Sequence, residues 1–316
     1  MEYKKTLKDR ISISGIGLHS GNRVTLTILP SYEDTGIVFI RKDIPNSMPI
    51  QATVSSVVDT RFATTIGKAR AVVSTIEHLM AALAGCGVDN ALIEVDGPEV
   101  PVFDGSAAPF VALIQETGTV NTDFPKQWIR IIRKISVKDG DKSVTLQPAD
   151  CLKVNFQIRF DHPLIRSQKF TGKITEKTFK KRLAIARTFG FLRDVELLKQ
   201  NGLAQGGSMD NAIVLDDKEI LNSEGLRFSD EFVRHKALDL IGDLYLLGAP
   251  LKAEITAFKS GHTLHYKLAR KMIENPHCWV IEESGATRQR SVAAAAICIG
   301  NRQHQDIPLA AVAAGI

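Results

Sequence analysis

Cysteine is scarce in this chain. The 316 residues contain four, Cys86, Cys151, Cys278 and Cys298, and none lies within a few residues of another. That spacing excludes a CxxC zinc or redox pair and a disulfide-dense secreted scaffold, so the chain reads as reduced and intracellular. No apolar run approaches the roughly 18–20 residues that span a bilayer. The start, MEYKKTLKDRISISG, has no apolar signal core. Both absences point to a soluble cytoplasmic protein without a transmembrane segment. Charge of one sign is not concentrated either. The net charge of +5 is spread thinly, which tolerates an anionic ligand but is no footprint for nucleic acid.

What is present is an ordinary globular composition, 44% hydrophobic and 24% charged. The length suits two domains, each able to bury its own core. Short β-branched runs, Val24 to Leu29, Gly36 to Ile40 and Ile50 to Val54, read as strands between turn residues. The period then changes. STIEHLMAALAG, Ser74 to Gly85, carries Ile76, Leu79, Met80 and Leu83 at helical spacing, with Gly85 as the stop. A strand (Ala91 to Val95) and a helix (about 107–116) follow. The polar stretch Gly118 to Pro125 is placed as a linker.

The second half begins again with strands: Ile129 to Val137, Lys142 to Leu146 and Leu152 to Phe160. Helices are expected near 176–186, over 230–247 and over 262–273, with a strand from Ala253 to Phe258. Each half thus runs strands, a helix carrying histidine, a strand, a glycine-rich turn and a closing helix. Two similar α+β domains facing each other would bring the histidine helices side by side. The expected division is 1–122, 127–300 and a flexible tail over 301–316.

The chemistry concentrates on those two helices. In DEFVRHKALDLIGDL, His235 and Asp239 are four apart and share a face opposite the stripe Val233, Ala237, Leu240, Ile241 and Leu244. Such a pair can hold one metal ion at the distance of about 2.0–2.2 Å that zinc requires, or it can be an ordinary solvent-facing pair. On the first helix, His78 lies with the small residues Ala81, Ala82 and Gly85. Glu77, one residue before it, diverges by about 100° and could serve as a base toward water. Ser74-x-x-Glu77 is equally a capping box, and His78 alone equally a partly buried polar residue. His78, His235 and Asp239 together would make an open site with three protein ligands. Nitrogen and oxygen donors favour Zn2+, with Fe(II) or Co(II) also fitting.

Seven collinear stretches carry a resemblance. They are GIGLHSG (Gly15 to Gly21), VDTRFATT (Val58 to Thr65), STIEHLMAAL (Ser74 to Leu83), GPEVPVFDGSAAPF (Gly97 to Phe110), ARTFGF (Ala186 to Phe191), GLRFSDEFVRHKALDLIGDL (Gly225 to Leu244) and KSGH (Lys259 to His262). In this order they resemble the UDP-3-O-acyl-N-acetylglucosamine deacetylase family, over nearly the whole chain to about residue 280.

The resemblance implies two α+β domains packed face to face with the active site between them. It also implies zinc-dependent removal of the acetyl group from a UDP-acyl-N-acetylglucosamine, the committed step of lipid A biosynthesis. It makes His78, His235 and Asp239 the metal ligands and Glu77 the general base. His262 becomes the oxyanion or leaving-group partner, oriented by Asp243, while Thr188 and Lys236 lie beside the reacting group. Phe160 is expected on the uracil, Lys142 near the phosphates and Lys259 as a weaker candidate of the same kind. Leu18, Phe191, Val195, Leu198 and Ala212 are expected along the acyl chain, with His19 near the substrate. The C-terminal residues 306–316 could be a degradation signal for a membrane-bound protease or a frayed end. Two other readings stay open: a zinc amidase for a different N-acetyl sugar, and a metal-stabilised binding protein without turnover.

Overall fold

A computed structural model describes residues 1–285. The expected tail over 301–316, with its protease-signal reading, lies outside those residues, as does Cys298. Cys86, Cys151 and Cys278 are free thiols. No helix among the described residues is long and apolar enough to cross a membrane.

Among the described residues there are six α-helices: α1 (Glu77–Cys86), α2 (Ala108–Thr117), α3 (Glu176–Arg182), α4 (Leu192–Gln200), α5 (Glu231–Tyr245) and α6 (His262–Glu274). They combine with two main sheets in a mixed α+β architecture. The first sheet has five strands in the order Ile11–Ile16, Arg23–Pro30, Ala91–Val95, Ile37–Arg41, Ile50–Gln51. The second has seven, centred on Leu251–Phe258.

The two halves share one topological device. Ala91–Val95 runs parallel to Ile37–Arg41, and Leu251–Phe258 runs parallel to Lys153–Arg159. Parallel neighbours need a crossover, and a helix is the compact way to make one. The first crossover carries α1 and the second carries α5. Each returning strand leads to a closing helix, α2 or α6, which is the repeated order of parts expected above. α1 and α5 pack directly on each other, with α2 against α1 and α6 against α5. Both central helices are buried nearly all round, as a helix covered on every side must be.

Several boundaries differ from the sequence reading for identifiable reasons. The first helix ends at Gly87, whose φ of 72° supplies the left-handed cap, not at Gly85. Gly85 instead leaves space for Phe179, since a Cβ there would lie 2.0 Å from the ring. The capping box does not form. Thr75 takes φ 57°, Ser74 bonds to the Thr65 hydroxyl at 2.8 Å, and no side chain caps the helix. The polar stretch expected as a linker is a strand, Thr119–Pro125, antiparallel to Tyr3–Leu7. The segment Ile129 to Val137 is two strands, Gln127–Ile131 and Ile135–Asp139. Ser167–Lys173, Trp279–Glu283, α4 and the short parallel pair Phe189–Phe191 and Ile213–Leu215 were not anticipated.

Candidate metal centre

α1 and α5 meet backbone to backbone at Gly242. A Cβ on Gly242 would sit 2.1 Å from the carbonyl oxygen of Glu77, so only glycine fits there. That approach sets His78 beside His235, with ring centroids 4.9 Å apart and nearly perpendicular. Asp239 lies one turn beyond His235. Its Oδ1 is 3.6 Å from His78 Nε2 and 3.3 Å from His235 Nε2. All three side chains are buried, which removes the solvent-facing reading of the His–Asp pair.

The donor set fits a cation. Asp239 Oδ2 accepts from Lys236 Nζ at 2.8 Å, whereas Oδ1 is buried with no hydrogen-bond partner. Burial works against the charge on Asp239, yet the Lys236 ammonium beside it helps to hold its carboxyl well below the usual range. Burial also lowers His235 to about 3, so its imidazole is neutral. With Nδ1–H donated to the Ala186 carbonyl at 3.1 Å, His235 turns the lone pair of Nε2 toward Asp239. An anionic oxygen and imidazole lone pairs converging on one buried point are mutually unfavourable without a positive ion among them.

Glu77 stands next to this point. Its Oε2 accepts from the backbone N–H of Thr64 at 3.1 Å, so the carboxylate is turned out of the helix-capping role. Burial pushes its carboxyl up. His262, the first residue of α6, directs Nε2 into the same space, 3.8 Å from Glu77 Oε1 and 4.0 Å from Asp239 Oδ2. Its Nδ1 donates to Asp243 Oδ2 at 2.8 Å. Burial opposes the imidazolium, but Asp243 and then Glu77 outweigh it and raise His262 to about 9. His262 is therefore cationic at neutral pH.

A sequence profile of the UDP-3-O-acyl N-acetylglycosamine deacetylase family, LpxC, matches residues 4–274. The UDP-3-O-acyl-N-acetylglucosamine deacetylase of Myxococcus xanthus strain DK1622 is 52% identical over 278 residues, covering 88% of each chain. That of Syntrophotalea carbinolica is 49% identical over 285 residues, 90% of this chain and 92% of the relative. That of Pseudomonas entomophila strain L48 is 48% identical over 283 residues, 89% and 93%. The chain belongs to the UDP-3-O-acyl N-acetylglycosamine deacetylase family.

The remaining candidate residues of this family member fall into three neighbourhoods. Phe160 lines a groove of about 800 Å³ with Arg159, His162, Arg166 and Lys259. Its ring meets Phe189 at 5.7 Å and Phe191 at 5.9 Å, and Phe189 in turn lies 6.5 Å from the His235 ring. An aromatic line thus joins groove to metal centre, with Lys236 Nζ 6.0 Å from the Phe189 centroid. Lys142 is exposed beside His262, in a depression shared with Arg61, Phe62 and Asp139. Lys259 pairs with Asp141. Leu18 and His19 sit on a loop whose carbonyls accept from Gly206 and Gln205, both at 3.1 Å. Thr188 donates its N–H to the Gly105 carbonyl at 2.8 Å, and its own carbonyl accepts from Ile213 at 2.8 Å. Val195 and Leu198 are half-buried on α4, and Ala212 is half-buried just before Ile213–Leu215.

Five contributing residues escaped the sequence reading. Thr64 joins the halves, its N–H on Glu77 and its hydroxyl on Asp243 at 2.6 Å. His265 donates Nδ1–H to Asp243 at 2.7 Å, and its place three residues after His262 on one helix was a readable signal. The Ala186 carbonyl has no side-chain signature. Arg187 and Glu231 form a buried pair at 3.0 Å that pins the Ala186–Thr188 segment to the start of α5.

Proposed function

We propose that the chain removes the acetyl group from UDP-3-O-(hydroxyacyl)-N-acetylglucosamine by hydrolysis, releasing acetate in the committed step of lipid A biosynthesis. His78, His235 and Asp239 would hold one Zn2+. The observation that carries this reading is the buried, unpartnered Asp239 Oδ1 facing two imidazole nitrogens. The names of the relatives supply the substrate class. A bound zinc ion supplies positive charge that acidifies water and polarises an acyl oxygen.

The side chains of the protein do the rest. Glu77 accepts a proton from the attacking water, and the sugar amine leaves protonated, by Glu77 or by His262, as the C–N bond breaks and acetate is released. The desolvated Glu77 carboxylate is a stronger base than a solvated one, and Thr64 aims it. His262 carries a proton on Nε2, where charge develops on the tetrahedral centre. Asp243 fixes its orientation through Nδ1. Thr188 offers a hydroxyl to the acetyl oxygen, and Lys236 holds Asp239 while facing the head group. Phe160 and Lys259 in the groove, and Lys142 in the depression beside His262, would take the uridine diphosphate. Leu18, His19 and Phe191 would line the acyl side.

The same reading divides the chain into domains 1–122 and 127–300. In its favour, no sheet among the described residues joins a strand of 1–125 to a strand of 127–283. The deciding experiment is metal analysis combined with acetate release from a UDP-acyl-N-acetylglucosamine. One zinc per chain and chelator-sensitive acetate release are expected. Metal binding without acetate release would defeat the assignment.

A further inference from the structure

Glu99 is the most committed acid that the chemistry above leaves unused. It is 1% exposed, and no lysine or arginine pairs with it among the described residues. Donors alone hold its charge: the backbone N–H of His19 at 2.9 Å, that of Ser20 at 2.8 Å, and the Thr75 hydroxyl at 2.7 Å. Gly17 makes the approach possible, because a Cβ there would lie 2.4 Å from Glu99 Oε2. The same loop is gripped from the other half, where a Cβ on Gly206 would meet the Gly17 carbonyl oxygen at 2.2 Å.

Burying a carboxylate without a countercharge is unfavourable unless hydrogen bonds replace its water, and an apolar side chain would fill the space without that penalty. What the anion adds is geometry. It accepts from two consecutive amides and fixes their orientation. The loop so oriented presents His19, whose Nδ1 is buried with no hydrogen-bond partner. We infer that Glu99 is a positioning residue for substrate binding, latching the 17–21 loop so that Leu18 and His19 face the acylated sugar. The identity of that ligand rests on the function proposed above.

The test compares Glu99→Gln and Gly17→Ala with the wild-type holoenzyme. Amide exchange at His19 and Ser20 should accelerate in both variants. KM for the UDP-acyl-N-acetylglucosamine should rise about tenfold or more, with kcat within about threefold and metal content unchanged. A residue serving stability alone would lower the unfolding temperature and leave KM intact. Protected amides and an unchanged KM in folded Glu99→Gln overturn the proposal, as they do in Gly17→Ala where Glu99→Gln fails to fold. So does a joint loss of kcat and metal with KM unchanged, which would place the effect on α1 through Thr75. A wild type that releases no acetate refutes the substrate reading instead, and the exchange measurement still decides whether the loop depends on Glu99.

Discussion

Gly242 of α5 lies against the backbone of Glu77 of α1, with room for a hydrogen and nothing larger: a Cβ would stand 2.1 Å from the Glu77 carbonyl oxygen. The proposed acid–base group and metal ligands therefore come from helices in backbone contact, and their geometry is as stiff as that contact. Gly242→Ala must move one helix. Such overpacking typically costs about 1–3 kcal/mol, and more where backbone is the obstacle. We expect a lower unfolding temperature together with weakened metal binding, because His78 withdraws from His235 and Asp239. Calorimetry and metal titration of the variant check both.

Glu77 and His235 should separate chemistry from coordination. Glu77→Ala is expected to retain metal and lose about 10²–10⁴-fold in kcat, the usual contribution of a positioned base. His235→Ala is expected to lose the metal itself. A Glu77→Ala protein with near-native kcat would remove the base assigned here.

The pH profile follows from two groups shifted upward. Activity should rise as Glu77 ionises, on a limb above the ordinary carboxylate range, because burial disfavours its charged form. It should fall as pH rises through about 9, where His262 loses its proton. A bound dication beside both groups moves each limb toward lower pH. Asp243→Asn removes the main charge raising His262, so the alkaline limb should move down. By linkage, the raised His262 stabilises the fold fully below 6.5, and that contribution disappears as pH climbs through about 9. Rate and stability measured across pH on the wild type and Asp243→Asn test the assignment.

Arg187→Ala should be severe although the residue has no part in the reaction. It leaves Glu231, fully buried, without its cation, a loss of about 3–5 kcal/mol. The Ala186 carbonyl that fixes the His235 tautomer loses its support, so metal affinity should drop about 10–100-fold. Denaturant unfolding with and without metal separates the two effects.

Legibility in the sequence followed the range of the interactions. The spacing of His235 and Asp239 on one helix face is a local fact, and the structure keeps it. Glu77 was ambiguous because a capping box and a free carboxylate share one pattern. The positive φ of Thr75 and the Thr64 N–H, thirteen residues away, resolve the ambiguity. Gly85 read as the helix stop because the residue that requires a glycine there, Phe179, comes from the other half and gives no local signal. The polar stretch 119–125 reads as a linker because its pairing partner, Tyr3–Leu7, lies at the opposite end of the first half.

By itself the sequence determined the elements that local periodicity encodes, many of the strands and the central helices, and through its motifs the family and the proposed metal-binding side chains. Tertiary structure alone decided how closely His78 approaches His235 and Asp239, that one oxygen of Asp239 is spoken for and the other left bare, and that Thr64 bonds to both Glu77 and Asp243. Periodicity depends on the rise and turn of a single element, so it is written in neighbouring residues. The convergence of α1 and α5 depends on two glycine-sized surfaces more than 150 residues apart, such as Gly242 against Glu77, and only packing brings those into register.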